Sequence, residues 1–217
     1  DRAFGGGLNA QGGAVVEVTR AVFKGNRDVA VVASQSGTTL TLSDVVVRDT
    51  QGQEADRAHG RGLQGQEGAA VEANRVVFER NREASVFAIH AGTTMRLSDV
   101  VLRDTLSRQS DRTCGYGIQA SVGAVVELTR TLIERNRGLA VVVAHAGTRA
   151  TLADVVVRDT QSQESDRCLG RGIQASGGAA VDVIRALLER NREVAVLIGD
   201  GATTATLVDV VVRDTEG

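Results

Sequence analysis

Apolar and polar residues alternate along this chain in short runs. In VVEVT (15–19), Val16 and Val18 fall on one side of an extended strand, and Val15, Glu17 and Thr19 on the other. GTTLTLSD (37–44) and its later copies keep the two-residue period, are rich in β-branched residues and show no helical spacing. Gly, Asn, Asp and Ser punctuate the runs. The pattern predicts short strands joined by turns.

The runs repeat. DVVVRDT at 44–50 returns as DVVLRDT at 99–105 and as DVVVRDT at 154–160 and 209–215. The Asp-Arg pairs beginning at 1, 56, 111 and 166, and Asn26, Asn81, Asn136 and Asn191, keep the same 55-residue step with no insertion or deletion. The units are 1–55, 56–110, 111–165 and 166–217, and together they read as a single domain, 1–217. Each unit holds a weaker repeat. GAVVEVTRAVFKGN (13–26) aligns with GTTLTLSDVVVRDT (37–50) at an offset of 24, and from Gly37 to the next equivalent, Gly68, is 31. A unit is therefore two coils, the longer one carrying an insertion around QGQEADRAHG (51–60). Short strands in coils of this length predict an all-β parallel solenoid. Eight coils at ~4.8 Å each give a rod of roughly 38 Å. The chain starts mid-pattern at Asp1, so it is expected to be a fragment of a longer one.

The pattern Gly-x-x-Leu-x-Leu-Ser-Asp-Val-x-Val-x-Asp-Thr, closed by Asn or Thr at the bend and followed by GxGI/L, resembles right-handed parallel β-helix repeat proteins of the pectate-lyase-like superfamily, of the bacterial secreted or surface type. The resemblance covers the whole chain. It implies a right-handed parallel β-helix and an extracellular or cell-surface location. The family includes polysaccharide lyases and hydrolases, adhesins and repeat proteins, so the resemblance speaks to fold more than to activity.

Aligned coil on coil, the charged residues form columns. The first is Arg20, Asp44, Arg75, Asp99, Arg130, Asp154, Arg185 and Asp209, and its sign alternates at every step. The second runs Lys24, Arg48, Glu79, Arg103, Glu134, Arg158, Glu189 and Arg213, and the third Gly25, Asp49, Arg80, Asp104, Arg135, Asp159, Arg190 and Asp214. Opposite charges on neighbouring strands contribute ~0.2–1 kcal/mol per pair, and like charges destabilise. Alternation explains why the repeating unit is two coils, because a one-coil repeat would stack identical charges. These columns are read as charge ladders that set register. A catalytic or calcium-binding carboxylate cluster should be singular, and these recur on every rung, so no catalytic, cofactor-binding or metal residue is assigned. A polar column of Asn26, Thr50, Asn81, Thr105, Asn136, Thr160, Asn191 and Thr215 is expected to hydrogen-bond from one coil to the next at a bend.

One column is wholly aliphatic: Val22, Val46, Val77, Val101, Leu132, Val156, Leu187 and Val211. Each member lies between two apolar neighbours. The bulkier Phe23, Phe78 and Ile133 occupy a flanking column, which favours that column as core and the middle one as an exposed contact stripe.

Composition narrows the choice of function. The chain has 217 residues with 42% hydrophobic content, enough for a sizeable core. Its net charge of −2 argues against a nucleic-acid partner, and no apolar run approaches the ~20 residues of a membrane span. Arg supplies nearly all the positive charge, Lys24 being the only lysine. Aromatics are 2%, with no Trp and with Tyr116 as the single Tyr, which leaves few platforms for sugar rings. His90 and His145 share a repeat position and should stand ~9.6 Å apart, too far for one metal. His59 has no evident partner. Cys114 and Cys168 lie in successive insertions and are read first as free or buried thiols, with a disulfide between loops that lean together as the alternative. The threonines at 38, 39, 41, 93, 94, 203, 204 and 206 suggest an ice-binding array, but Val15 and Glu17 take the matching positions on an intervening coil and Arg96 and Arg149 interrupt it.

The function expected is a structural or interaction rod without a catalytic site and without a cofactor. The alternative is a polysaccharide lyase or hydrolase, or a carbohydrate-binding β-helix. The partner expected first is another copy, head to tail or side by side, with Asp209 and Arg213 meeting the first coil of the next molecule. Carbohydrate is the second class of partner.

Overall fold

The fold was described from a computed structural model covering residues 5–217, so the first Asp-Arg pair lies outside the described residues. The chain makes a series of passes, each laying strands on those of the pass before. The first holds β1 (Leu8–Gln11), β2 (Val15–Thr19) and β3 (Val22–Lys24), and the second β4 (Val29–Ser34), β5 (Thr39–Ser43) and β6 (Val46–Arg48). The third holds β7 (Arg61–Gln66), β8 (Ala70–Asn74) and β9 (Val77–Glu79), and the fourth β10 (Ala84–Ile89), β11 (Thr94–Ser98) and β12 (Val101–Arg103). In later passes the second and third strands merge: β13 (Tyr116–Ser121) and β14 (Val125–Glu134), then β15 (Leu139–Ala144) and β16 (Arg149–Arg158). The last two are β17 (Arg171–Ser176) with β18 (Ala180–Glu189), and β19 (Val196–Ile198) with β20 (Thr204–Arg213).

Strands β1, β4, β7, β10, β13, β15, β17 and β19 form one eight-stranded sheet in that order, and the other twelve form a second. Every strand pairing is parallel, for example Val22 with Val46 and Val46 with Val77. The fold is an all-β parallel solenoid. No helix is long and apolar enough to cross a membrane among the described residues.

Alternation fills the space between the sheets. Leu40, Leu42, Val45 and Val47 point inward from β5, β6 and the bend between them, and Leu63 and Val86 meet them from the other sheet. The first sheet contributes small side chains to the core, Ala33, Ala88 and Ala120, with Gly65 in the same column against Met95. Glycine is the second residue of β7, β13 and β17 for a steric reason. A Cβ on Gly117 would sit 2.6 Å from the carbonyl oxygen of Ala140 on the next pass.

The second sheet bends sharply at Arg20, Asp44, Arg75, Asp99, Arg130, Asp154, Arg185 and Asp209, all of which have positive φ. Asp tolerates that conformation and Arg does so less readily. The backbone ladder continues through the bend: the Asp44 N–H donates to Asn74 O at 3.1 Å and the Arg75 N–H to Ser98 O at 3.1 Å. The merged strands carry the same bend.

Candidate functional site

The charged columns stand on the outer side of the second sheet and its bends, and their ion pairs form at every second step. In the first column Arg75 Nε and Nη2 donate to the two oxygens of Asp44 at 2.6 and 2.8 Å. Arg130 grips Asp99 at 2.7 and 2.7 Å, and Arg185 grips Asp154 at 2.6 and 2.9 Å. These forks match the planar carboxylate, which a lysine would not do. Each pair joins one unit to the next. The hydrogen bonds hold the carboxyls of Asp44, Asp99 and Asp154 below the usual carboxylate range.

The second column pairs across the other step. Arg103 Nε donates to Glu79 Oε2 at 2.9 Å, and the Arg158 and Arg213 forks do the same to Glu134 and Glu189. The third crosses between units, as the first does: Arg80 to Asp49 at 2.8 Å, Arg135 to Asp104 at 2.8 Å and Arg190 to Asp159 at 2.7 Å. Arg80, Arg135 and Arg190 also pair sideways with Glu79, Glu134 and Glu189, which ties the two columns into one zig-zag. Burial pushes the Glu79 carboxyl up, but the bonds and charge of Arg103 and Arg80 outweigh it and hold the group below its ordinary value.

Arg48 departs from the alternation expected of its column. It is in register with Glu79, yet its nearest carboxylate is Asp49 at 4.0 Å, and its Nε has no hydrogen-bond partner. Glu79 turns instead to Arg103 and Arg80. Arg213, expected to face a further coil, is bound to Glu189 within the chain.

From Thr50 to Asn191 the polar column is buried at the bend. Thr50 donates its hydroxyl to Asn81 Oδ1 at 2.7 Å, and Asn81 Nδ2 donates to Val47 O at 3.0 Å. Thr105 with Asn136 and Thr160 with Asn191 repeat this. Thr38 and Thr93 are buried turn residues whose hydroxyls accept the N–H groups of Gly13 and Gly68.

The aliphatic column points outward. Val46 is partly exposed between buried Val45 and Val47, and Val77, Val101, Leu132, Val156 and Leu187 are partly exposed in the same way, with Val22 and Val211 more exposed at the two ends. The stripe runs between the Asp44–Arg75 column on one side and the Glu79–Arg103 column on the other.

The insertions are where the units differ. His59, without an evident partner in sequence, hydrogen-bonds through Nδ1 to buried Asp28 at 2.7 Å, and Gln53 Nε2 reaches the same carboxyl oxygen at 3.0 Å. At the next unit Arg61 pairs with Glu83 and lies 3.9 Å over the Phe87 ring. The Arg61–Glu83 pair recurs two units on as Arg171–Glu193, whereas the equivalent of Asp28 and Glu83 in the unit between is Gly138. Successive insertions touch, with the Ser165 N–H donating to Arg112 O at 3.0 Å. Cys114 and Cys168 are free. His90 and His145 are exposed at equivalent turns. No group of three or more His, Cys, Asp or Glu is set to hold a metal ion among the described residues.

No family model matches the chain, and no curated protein matches it. Among solved structures, the chain is similar to HetL, a pentapeptide repeat protein involved in heterocyst differentiation regulation from the cyanobacterium Nostoc sp. strain PCC 7120. The identity is 13% over 97% of this chain and 87% of that one, with a TM-score of 0.21.

Proposed function

We propose that the chain is a rigid rod serving as a structural or interaction module of an extracellular or cell-surface protein. One observation carries this reading: the same Arg–carboxylate fork recurs at Asp44–Arg75, Asp99–Arg130 and Asp154–Arg185, and chemistry repeated along a rod supports length and register. The location rests on the resemblance to secreted β-helix proteins. The stripe from Val22 to Val211 is the surface such a module would offer along its side.

A module of this kind should be extensible. Inserting a second copy of residues 56–110 should lengthen the particle by ~9.6 Å in small-angle scattering. Neither chain should release unsaturated or reducing products from polyuronates. Product release by the unmodified protein would overturn the proposal in favour of a polysaccharide-acting enzyme.

A further inference from the structure

We propose that the aliphatic stripe seats a second copy of this chain, side by side and pointing the same way, about a twofold axis parallel to the rod. This rests on the reading of the chain as a rod and names its partner.

The two ladders that flank the stripe run in antiphase. Within a pass the flanking residues lie four positions apart, one on each side of the aliphatic residue: Asp44 and Arg48 beside Val46, Arg75 and Glu79 beside Val77, Asp99 and Arg103 beside Val101. Their signs are opposite in these passes and in every later one, to Asp209 and Arg213, and only the first pass, with Arg20 and Lys24, departs. A twofold axis along the rod exchanges the two sides of the stripe, so each ladder meets the other ladder of the second copy at the same level. Antiphase then sets carboxylate against arginine at each level from the second pass on. Ladders in phase would have set like on like. Two rods of one sequence also share one rung spacing, so the match persists along the stripe.

The bonds within each ladder are staggered to suit. The first ladder joins the second and third passes through Asp44–Arg75, and the fourth and fifth through Asp99–Arg130. The second ladder joins the third and fourth through Glu79–Arg103, and the fifth and sixth through Glu134–Arg158. Each ladder is therefore open at every other step. In the pair, the open step of one lies against the bonded step of the other. Arg48 is the interior member with most to gain. Glu79 is engaged by Arg103 and Arg80, Lys24 on the preceding pass is a like charge in register with Arg48, and the nearest carboxylate to Arg48 is Asp49 at 4.0 Å. In the pair Arg48 faces Asp44 of the second copy.

Size sets the strength. The face is roughly 38 Å long and about 13 Å across, roughly 500 Å² a copy. Two copies bury about 1,000 Å², the lower limit for a specific interface. Charges already bonded within each copy add little net attraction when exposed. The pair is therefore weak, sensitive to salt and specific in orientation.

The test is sedimentation and small-angle scattering of the 217-residue chain at low salt over a range of concentration. Wild type should pair, and the particle should widen at constant length. Exchanging one fork, Asp99→Arg with Arg130→Asp, keeps the internal ion pair, and both residue types already occupy this bend at positive φ, so melting should be unchanged. The exchange sets like charges against Arg103 and Glu134 of the second copy, and pairing should weaken at least about tenfold. Leu132→Thr on the stripe should weaken it about fourfold or more. A wild type that stays single at millimolar concentration overturns the proposal, as does a pair that is longer and no wider, or an exchanged fork that melts and pairs as wild type does. If the exchanged fork does not fold, Leu132→Thr decides, and pairing by that variant as tight as wild type overturns the proposal in either case. A single particle of the rod's length without polysaccharide turnover would sink the pairing and leave the rod reading standing.

Discussion

Asn136 holds two passes together through one side chain. Its Oδ1 accepts from the Thr105 hydroxyl at 2.6 Å and from the Thr105 N–H at 3.0 Å, and its Nδ2 donates to Leu102 O at 3.1 Å. All of this is buried. Asn136→Ala strands these groups, and an unsatisfied buried donor or acceptor costs ~1–3 kcal/mol. Unfolding in urea should show about 3 kcal/mol of lost stability with an unchanged slope. The same change at exposed Asn9 should have little effect. The Asn and Thr column was legible because alignment of the coils shows which residues are neighbours. What alignment could not show is that bonds form across only one of the two steps. That depends on the rotamer leaving a bend with positive φ, and Arg48, in register with Glu79 but unbonded to it, is the residue where register and bonding part company.

At the scale of strands, the second sheet was readable and the first was not. Leu-Thr-Leu-Ser assigns an inner and an outer face because one face is polar. In VAVVAS (29–34) five of six residues are apolar, so the pattern names no face, and Val29, Ala30, Val31, Ala33 and Ser34 are all buried. The bends were also hidden, since arginine is an uncommon choice for positive φ and Arg20, Arg75, Arg130 and Arg185 all adopt it. Packing between passes sets what the first sheet accepts. Gly117→Ala would drive a methyl to 2.6 Å from Ala140 O and 2.8 Å from Ile133 Cγ2. Backbone cannot yield as a flexible side chain can, so the variant should lose about 2–3 kcal/mol in the same urea experiment. Gly13→Ala meets nothing within 4 Å and loses only what its φ of +81° demands.

Over the whole molecule the paired carboxylates add up to a pH response. Their folded values lie below the ordinary ones, as at Asp44, Asp99, Asp154, Glu79 and Glu189, and Asp111 lies at about 2 through the bonds of Arg108 and Thr113 that outweigh its burial. A depressed carboxyl stabilises the folded state above its unfolded value, ~4, and that stability is lost as pH falls through the folded value. The melting temperature should be level above about pH 5 and fall steadily from about pH 4 to pH 2. In 1 M salt, where screening acts over ~3 Å, the slope should be shallower. A level profile down to pH 2 would mean that the ladders fix register without contributing stability. Alternating steps have one more consequence, for inheritance. A recombination event that removes a whole 55-residue unit rejoins an aspartate to an arginine at the new seam, whereas removal of the single pass carrying Arg75 would seat Asp44 beneath Asp99. Selection on such a gene can therefore tune the length of its product only in quanta of two turns.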